Sequence, residues 1–305
     1  MNRPVRPRRS VLYMPGSNAR ALEKARSLDA DALILDLEDA VAPAAKEEAR
    51  ALVMAALAHG GYGHRELVVR VNGAATPWAA ADLAAAARSG ADAVLLPKVE
   101  AAETVREAER ALAAAGAPPE LALWCMIETP RGVLAADAIA GASARLACLV
   151  VGTSDLTKDL AARATPARLE VLTSLGLVLL AARAHGLAAL DGVHLDLADD
   201  AGFMAACQQG RDLGFDGKTL IHPRTIEPAN RAFAPDEAEV AHARRIVAAH
   251  AEAAAQGEGV VVLDGRLVEA LHVEAAKRLL DLAGAVARRS PGAVPSASGE
   301  GSHEA

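Results

Sequence analysis

Short, uninterrupted apolar runs recur along the chain, and the stretches between them carry helical spacing. SVLYMPG, residues 10–16, reads as a first strand closed by Pro15 and Gly16; Asn18 then caps the helix ARALEKARSL. ALILDLED, 32–39, is a second strand that ends in acid, and a helix runs from Pro43 to about Leu57. ELVVRVN, 66–72, is the third strand, with Arg70 close to its end, followed by a helix over 78–89. AVLLPKVE, 93–100, is the fourth, with a helix over 103–115. LALWCMI, 121–127, runs straight into Glu128, Thr129 and Pro130, where the proline stops the strand. LACLVVG, 146–152, repeats the design and leads into Thr153, Ser154 and Asp155. A helix over 167–185, a strand over 188–197, a helix over 203–213 and the strand GKTLIHP, 217–223, complete the series. Apolar runs without alternation are what strands buried on both faces look like.

Eight alternations of strand and helix over this length predict an α/β fold, a (β/α)8 TIM barrel spanning 1–230. A doubly wound open sheet is the alternative, but its first turn is Gly-rich, and YMPGSN carries a single glycine. Beyond Pro223 the pattern changes. A helix over 236–255 begins with Glu237 and Glu239, and a hairpin with an Asp264–Gly265 turn leads to a last helix. This region, 231–287, is expected to be a helical and hairpin lid or oligomerisation extension. Residues 288–305, rich in Ser, Gly, Pro and Ala, are expected to be disordered.

Composition narrows the classes. Hydrophobic residues make up 52% and aromatic residues only 2%, so the core must be built from Ala, Leu and Val. A formal net charge of -7 argues against nucleic-acid binding. No apolar run reaches the length of a membrane span, so no membrane partner is expected. The basic opening MNRPVRPRRS reads as a solvated arm. Three cysteines without zinc spacing fit a reducing, cytoplasmic compartment.

Glu128 and Asp155 stand at the ends of successive buried strands, where barrel active sites are built. Two such carboxylates suit a hard divalent cation; the plainer reading is that each caps the helix that follows. Glu38 and Asp39 end another strand and suit hydrogen bonds to metal-bound water, or an acidic helix start. Arg70 presents a fork of donors for an oxyanion, or for an ion pair with Glu38 or Asp39.

SVLYMPGSN with Lys24, LDLEDAV, VRVN, LPKVE, IETPRG, VGTSDL and GFDGKTLIHP occur here in the order found in the HpcH/HpaI aldolase/citrate lyase family. More narrowly, the chain resembles citrate lyase beta-subunit-like and malyl-CoA lyase-like CoA-ester lyases, over nearly its whole length to about Val286. The resemblance implies a TIM barrel and Mg2+, with Mn2+ as a substitute, held by Glu128 and Asp155 with Glu38 and Asp39 behind them. It also implies an acyl-CoA substrate and a homotrimer or dimer of trimers. Tyr13, Asn18 and Lys24 match the family's CoA-contacting loop, and Ile221 and His222 lie near its expected pantetheine path; Arg70, Glu128 and Ser154 match its substrate-binding positions. A satisfied structural histidine is the competing reading of His222. The family's lid carries Asp and, two residues on, Pro; here GRLVEALHV places Glu269 and Leu271 there. Glu269 inherits the expected proton-carrier role, or is a helix N-terminal carboxylate without chemistry. The expected activity is therefore a Mg2+-dependent carbon–carbon lyase that cleaves malyl-CoA, citramalyl-CoA or a relative to acetyl-CoA and a 2-oxo acid, with Arg70 and Glu269 catalytic. The alternatives are a citrate lyase beta subunit acting on a citryl thioester, a malyl-CoA thioesterase, and a non-catalytic homologue that binds CoA esters.

Overall fold

Both faces of every strand in the first part of the chain are covered, which is why the apolar runs show no alternation. The computed structural model describes residues 5–257 and 259–289. Strands β1 (Ser10–Pro15), β2 (Ala32–Asp36), β3 (Glu66–Arg70), β4 (Ala93–Leu96), β5 (Ala122–Ile127), β6 (Leu146–Val151), β7 (Ala188–Asp191) and β8 (Gly217–Leu220) pair in parallel in chain order. β8 closes on β1, with Leu12 opposite Leu220. The result is the expected (β/α)8 barrel.

Alternate residues of each strand go to two different cores. Val11, Ile34, Val68, Leu95, Trp124, Met126, Cys148, Val150 and Leu190 fill the barrel interior. Their neighbours Leu12, Leu33, Leu35, Val69, Val94, Leu123 and Leu149 pack outward beneath the helices. In so aromatic-poor a chain, Trp124 is the largest fully buried side chain and occupies the inner core.

The basic opening is not a solvated arm throughout. The Arg8 guanidinium grips the Glu66 carboxylate at 2.6 and 2.8 Å and lies 5.1 Å over the Trp124 ring. Arg9 holds Asp31 in the same two-pronged way, at 2.8 and 2.9 Å, and its backbone N–H donates to the same carboxylate. These pairs sit at the N-terminal ends of β1, β2 and β3 and form the floor of the barrel. Charge in an N-terminal segment suggests solvation; buried acids on the neighbouring strands reverse that reading.

Two strands end earlier than their apolar runs suggest. Asp36 accepts hydrogen bonds from the Glu38 and Ala40 N–H groups, at 2.9 and 3.1 Å, and so bends the chain out of the sheet. Asp191 does the same to Gly192, at 2.8 Å. One helix, Ile226–Phe233, is hidden in the sequence because Pro228 interrupts it; in a first turn the missing N–H has no partner to lose. Its Asn230 accepts from the Ser10 hydroxyl and donates to the Asp29 carbonyl, both at 2.7 Å.

The barrel unit comprises Arg8–Phe233; the described remainder, 5–7, 234–257 and 259–289, forms a separate unit. In that second unit Asp236 and Glu239 make a reciprocal capping box that starts the helix Glu237–Ala255. β9 (Val261–Leu263) and β10 (Arg266–Val268) form an antiparallel hairpin. Its turn residues Asp264 and Gly265 have φ of 51° and 75°, the left-handed pair that such a turn requires. The helix Ala270–Ala287 follows, with Glu269 at its N-cap. Most of the tail expected to be disordered, from 290 on, lies outside the described residues, as do residues 1–4. Among the described residues no helix is long and apolar enough to cross a membrane.

If the floor pairs hold β1 and β2 in register, Asp31→Ala strands the Arg9 guanidinium in a buried site. The expected loss is about 3–5 kcal/mol of unfolding free energy, read as a lowered urea midpoint with an unchanged slope.

Candidate active site

The C-terminal ends of the strands gather charge that the rest of the barrel excludes. The register puts Asp36 of β2 beside Arg70 of β3. By strand alternation both follow Ile34 and Val68 onto the inner face. There the Arg70 Nε and Nη2 groups donate to the two Asp36 oxygens at 2.6 and 2.7 Å. Both residues are buried. The remaining nitrogen, Nη1, lies 3.0 Å from Glu38 Oε2, 3.6 Å from Asp39 Oδ2 and 3.7 Å from the Met126 sulfur. The guanidinium also rests 4.8 Å from the Tyr13 ring, whose hydroxyl donates to the same sulfur at 3.6 Å. Burial opposes the charge on Arg70, but the Asp36 carboxylate more than restores it, and the guanidinium stays protonated.

Glu128 follows β5 and is 2% exposed. Its Oε1 accepts the backbone N–H of Lys98 at 2.7 Å. Gly152, at the end of β6, makes room for it: a Cβ there would stand 2.5 Å from Glu128 Oε2. Burial raises the Glu128 pKa to about 7, against the opposing pull of Lys98. Burial likewise pushes Glu38 upward, opposed by Arg70 and Lys98. Glu38 Oε2 is buried and accepts no well-directed hydrogen bond; its contact is the ion pair with Arg70 Nη1. The Lys98 ammonium lies 2.5 Å from Glu38 Oε1, 3.6 Å from Asp39 Oδ1 and 3.7 Å from Asp155 Oδ2. Asp155 sits in the first turn of the helix Thr153–Asp159, half-buried. Lys46 braces the floor of this cluster by donating to the Leu37 and Glu38 carbonyls at 2.8 and 2.7 Å. The Trp78 ring lies 5.5 Å from that ammonium.

The fold thus brings Arg70, Glu38, Asp39, Glu128 and Asp155 to one mouth. Tyr13, stacked on Arg70, joins them. Asn18 is exposed and its side chain accepts the Ala21 N–H as a helix cap; Lys24 is exposed on the last turn of the same helix. Ser154 and Ile221 are exposed, and His222 Nδ1 accepts the Arg224 N–H at 3.1 Å, a structural use. Glu269 belongs to the second unit, where its N–H donates to His272 Nδ1 at 3.0 Å. Two residues of the cluster carry no assignment from the sequence. Asp36 was legible by alternation, since 34 and 36 share a face. Lys98 lies in the motif LPKVE, but nothing in that string shows a backbone turned toward Glu128.

The donor set fits a hard cation. It is all carboxylate oxygen, from Glu38, Asp39, Glu128 and Asp155, the ligand type such an ion prefers. Among the described residues no group of three or more His, Cys, Asp or Glu is placed to enclose a metal.

Residues 9–223 match the family described as HpcH/HpaI aldolase/citrate lyase. A (3S)-malyl-CoA thioesterase of Cereibacter sphaeroides (strain KD131) is 52% identical over 92% of this chain and 96% of the relative. The citrate lyase subunit beta of Escherichia coli (strain K12) is 40% identical over 92% and 95%. The crystal structure of CitE from Mycobacterium tuberculosis in complex with magnesium, acetoacetate and coenzyme A superposes with a TM-score of 0.72. It is 31% identical and covers 91% of this chain and 98% of that one. RipC from Yersinia pestis gives a TM-score of 0.65 at 30% identity, over 76% and 97%.

These relatives correct the expected carbon–carbon lyase activity. The relatives at 52% identity are named for hydrolysis of a thioester, and those named for citrate cleavage stand at 40%. The motifs misled for a physical reason: they encode a carboxylate pair and a buried arginine, and none of them encodes which bond breaks. With the fold, the mouth and the full-length similarity in agreement, the chain belongs to the HpcH/HpaI aldolase/citrate lyase family.

Proposed function

We propose that this chain is a thioesterase that hydrolyses malyl-CoA, or a close 3-hydroxydicarboxylyl relative, to the free acid and CoA. The observation that carries the reading is the 52% identity over 92% of the chain with a (3S)-malyl-CoA thioesterase. Water adds to the thioester carbonyl, the carbon–sulfur bond breaks, and the thiolate takes up a proton. Glu128 and Asp155 are the residues that would hold a divalent cation, Mg2+ or Mn2+. When bound, that ion supplies Lewis-acid polarisation of substrate oxygen and acidifies coordinated water.

The chain's own groups do the rest. Lys98 fixes the Glu128 carboxylate through its N–H, and Gly152 leaves that carboxylate its space. Asp36 locks Arg70 so that only Nη1 faces the mouth, a preset donor for a developing oxyanion or the substrate carboxylate. Tyr13 acts through Arg70, on which it stacks. Glu38 and Asp39 accept hydrogen bonds from water at the mouth. Asn18, Lys24, Ile221 and His222, exposed on their loops and helices, are kept as contacts for the long CoA moiety, and Ser154, beside Asp155, as a contact for the substrate carboxylate. Hydrolysis forms no enolate, so the reaction gives Glu269 no carbon to protonate.

With malyl-CoA and Mg2+ the expected products are malate and free thiol in equal amounts, measured with a thiol reagent and by chromatography. Acetyl-CoA and glyoxylate without free thiol overturn the proposal. Glu128→Gln keeps the shape and removes a ligand charge; turnover is expected to fall about a hundredfold or more, with partial recovery at high Mg2+. Full wild-type turnover in excess EDTA, with no metal in the protein, contradicts the ligand assignment.

Arg70→Lys keeps a positive charge but loses the fork that spans both Asp36 oxygens. It is expected to lower kcat more than it raises KM and to cost about 1–3 kcal/mol of stability. Steady-state kinetics and a denaturant titration of the same preparation check both; a change in KM alone makes Arg70 a simple binding residue.

A further inference from the structure

Lys98 follows Pro97 just beyond β4, and its φ is 49°. A residue with a Cβ pays for that left-handed conformation, which persists only where the surroundings fix it. Here the conformation aims the Lys98 N–H at Glu128 Oε1, 2.7 Å away. The ammonium of the same residue reaches Glu38, Asp39 and Asp155 at 2.5, 3.6 and 3.7 Å. One lysine therefore touches four carboxylates, one through its backbone and three through its side chain. Arg70 gives two of its nitrogens to Asp36 and shares Glu38 and Asp39 with Lys98 through the third, but it makes no ion pair with Asp155. Lysine suits the place better than arginine: its charge is compact, its stem flexible, and its side chain 44% exposed, so that it has somewhere to go.

We infer that Lys98 is a positioning residue for the divalent-cation centre with two separable functions. Its left-handed backbone orients the Glu128 carboxylate. Its ammonium is an internal counter-cation that holds the carboxylates together and competes with the divalent ion for them. The inference rests on Glu128 and Asp155 as ligands, and not on which bond the enzyme breaks. It implies that divalent-ion affinity is set below what the carboxylates alone would give, because binding must loosen the ammonium from Asp155.

The test is Mn2+ binding to the full chain, followed by the electron paramagnetic resonance signal of free Mn2+, with circular dichroism melts to verify folding. Lys98→Met is expected to bind Mn2+ about tenfold or more tightly than wild type, and to melt lower without metal. Lys98→Arg keeps the charge and is expected to stay within about threefold of wild type. Lys98→Gly and Lys98→Asn accept the left-handed backbone and should match Lys98→Met. Lys98→Val lacks the ammonium and resists that backbone, so it should bind at least about tenfold more weakly than Lys98→Gly. If Lys98→Met binds no more tightly than wild type, the counter-cation function is overturned. If Lys98→Val equals Lys98→Gly, the backbone function is overturned. Should the Lys98→Val protein fail to fold, Lys98→Gly binding Mn2+ more weakly than Lys98→Met overturns that function instead. Wild-type protein that binds no Mn2+ overturns the ligand assignment and this inference with it. A thioesterase reading that fails does so in the product assay, with these affinities unchanged.

Discussion

A charged side chain on the inner face of a closed barrel has no water to turn to. It must meet an opposite charge there, and the meeting is set by strand register. The pairing of Asp36 with Arg70 across β2 and β3 is the constraint on which the mouth depends. It uses two of the three guanidinium nitrogens, turns the third toward Glu38 and Asp39, and gives the Tyr13 ring a cation to stack on. The same aspartate ends β2 by accepting two N–H groups of the following turn, and that turn presents Glu38 and Asp39. One carboxylate thus ends a strand, fixes an arginine and places two further acids.

The barrel was legible because its physics is coarse. Burial on both faces leaves runs such as LALWCMI and LACLVVG, and eight of them with helices between leave few architectures. The Asp264–Gly265 turn was legible for a similar reason, since few residues accept its backbone. The carboxylates Glu128 and Asp155 were legible as strand endings. What stayed hidden were relations between distant residues. Arg8 and Arg9 look like an arm until Glu66 and Asp31 are seen beneath them. Lys98 looks like an exposed charge until its backbone is seen to turn toward Glu128. Pro228 looks like a breaker until it is seen to lie in a first turn.

Chemistry was less legible than architecture. Carbon–carbon cleavage and thioester hydrolysis begin with the same bound group, a CoA ester with a carboxylate at its far end. On the proposed reading both draw on the same acids and the same arginine, and a motif records those. The choice of bond depends on where water is admitted and where a proton is delivered. Those are properties of space and access, and they leave no fixed string of residues.

The floor of the barrel has a consequence for molecular traffic. Below the mouth the interior is filled by Met126, Trp124, Cys148 and Leu190, and beneath them Arg8 and Glu66 are locked together. The cylinder is therefore plugged along its axis by packed side chains above a pair of locked charges. Anything that meets the carboxylates of the mouth comes to them from the C-terminal ends of the strands, and the opposite end serves only to hold the barrel shut.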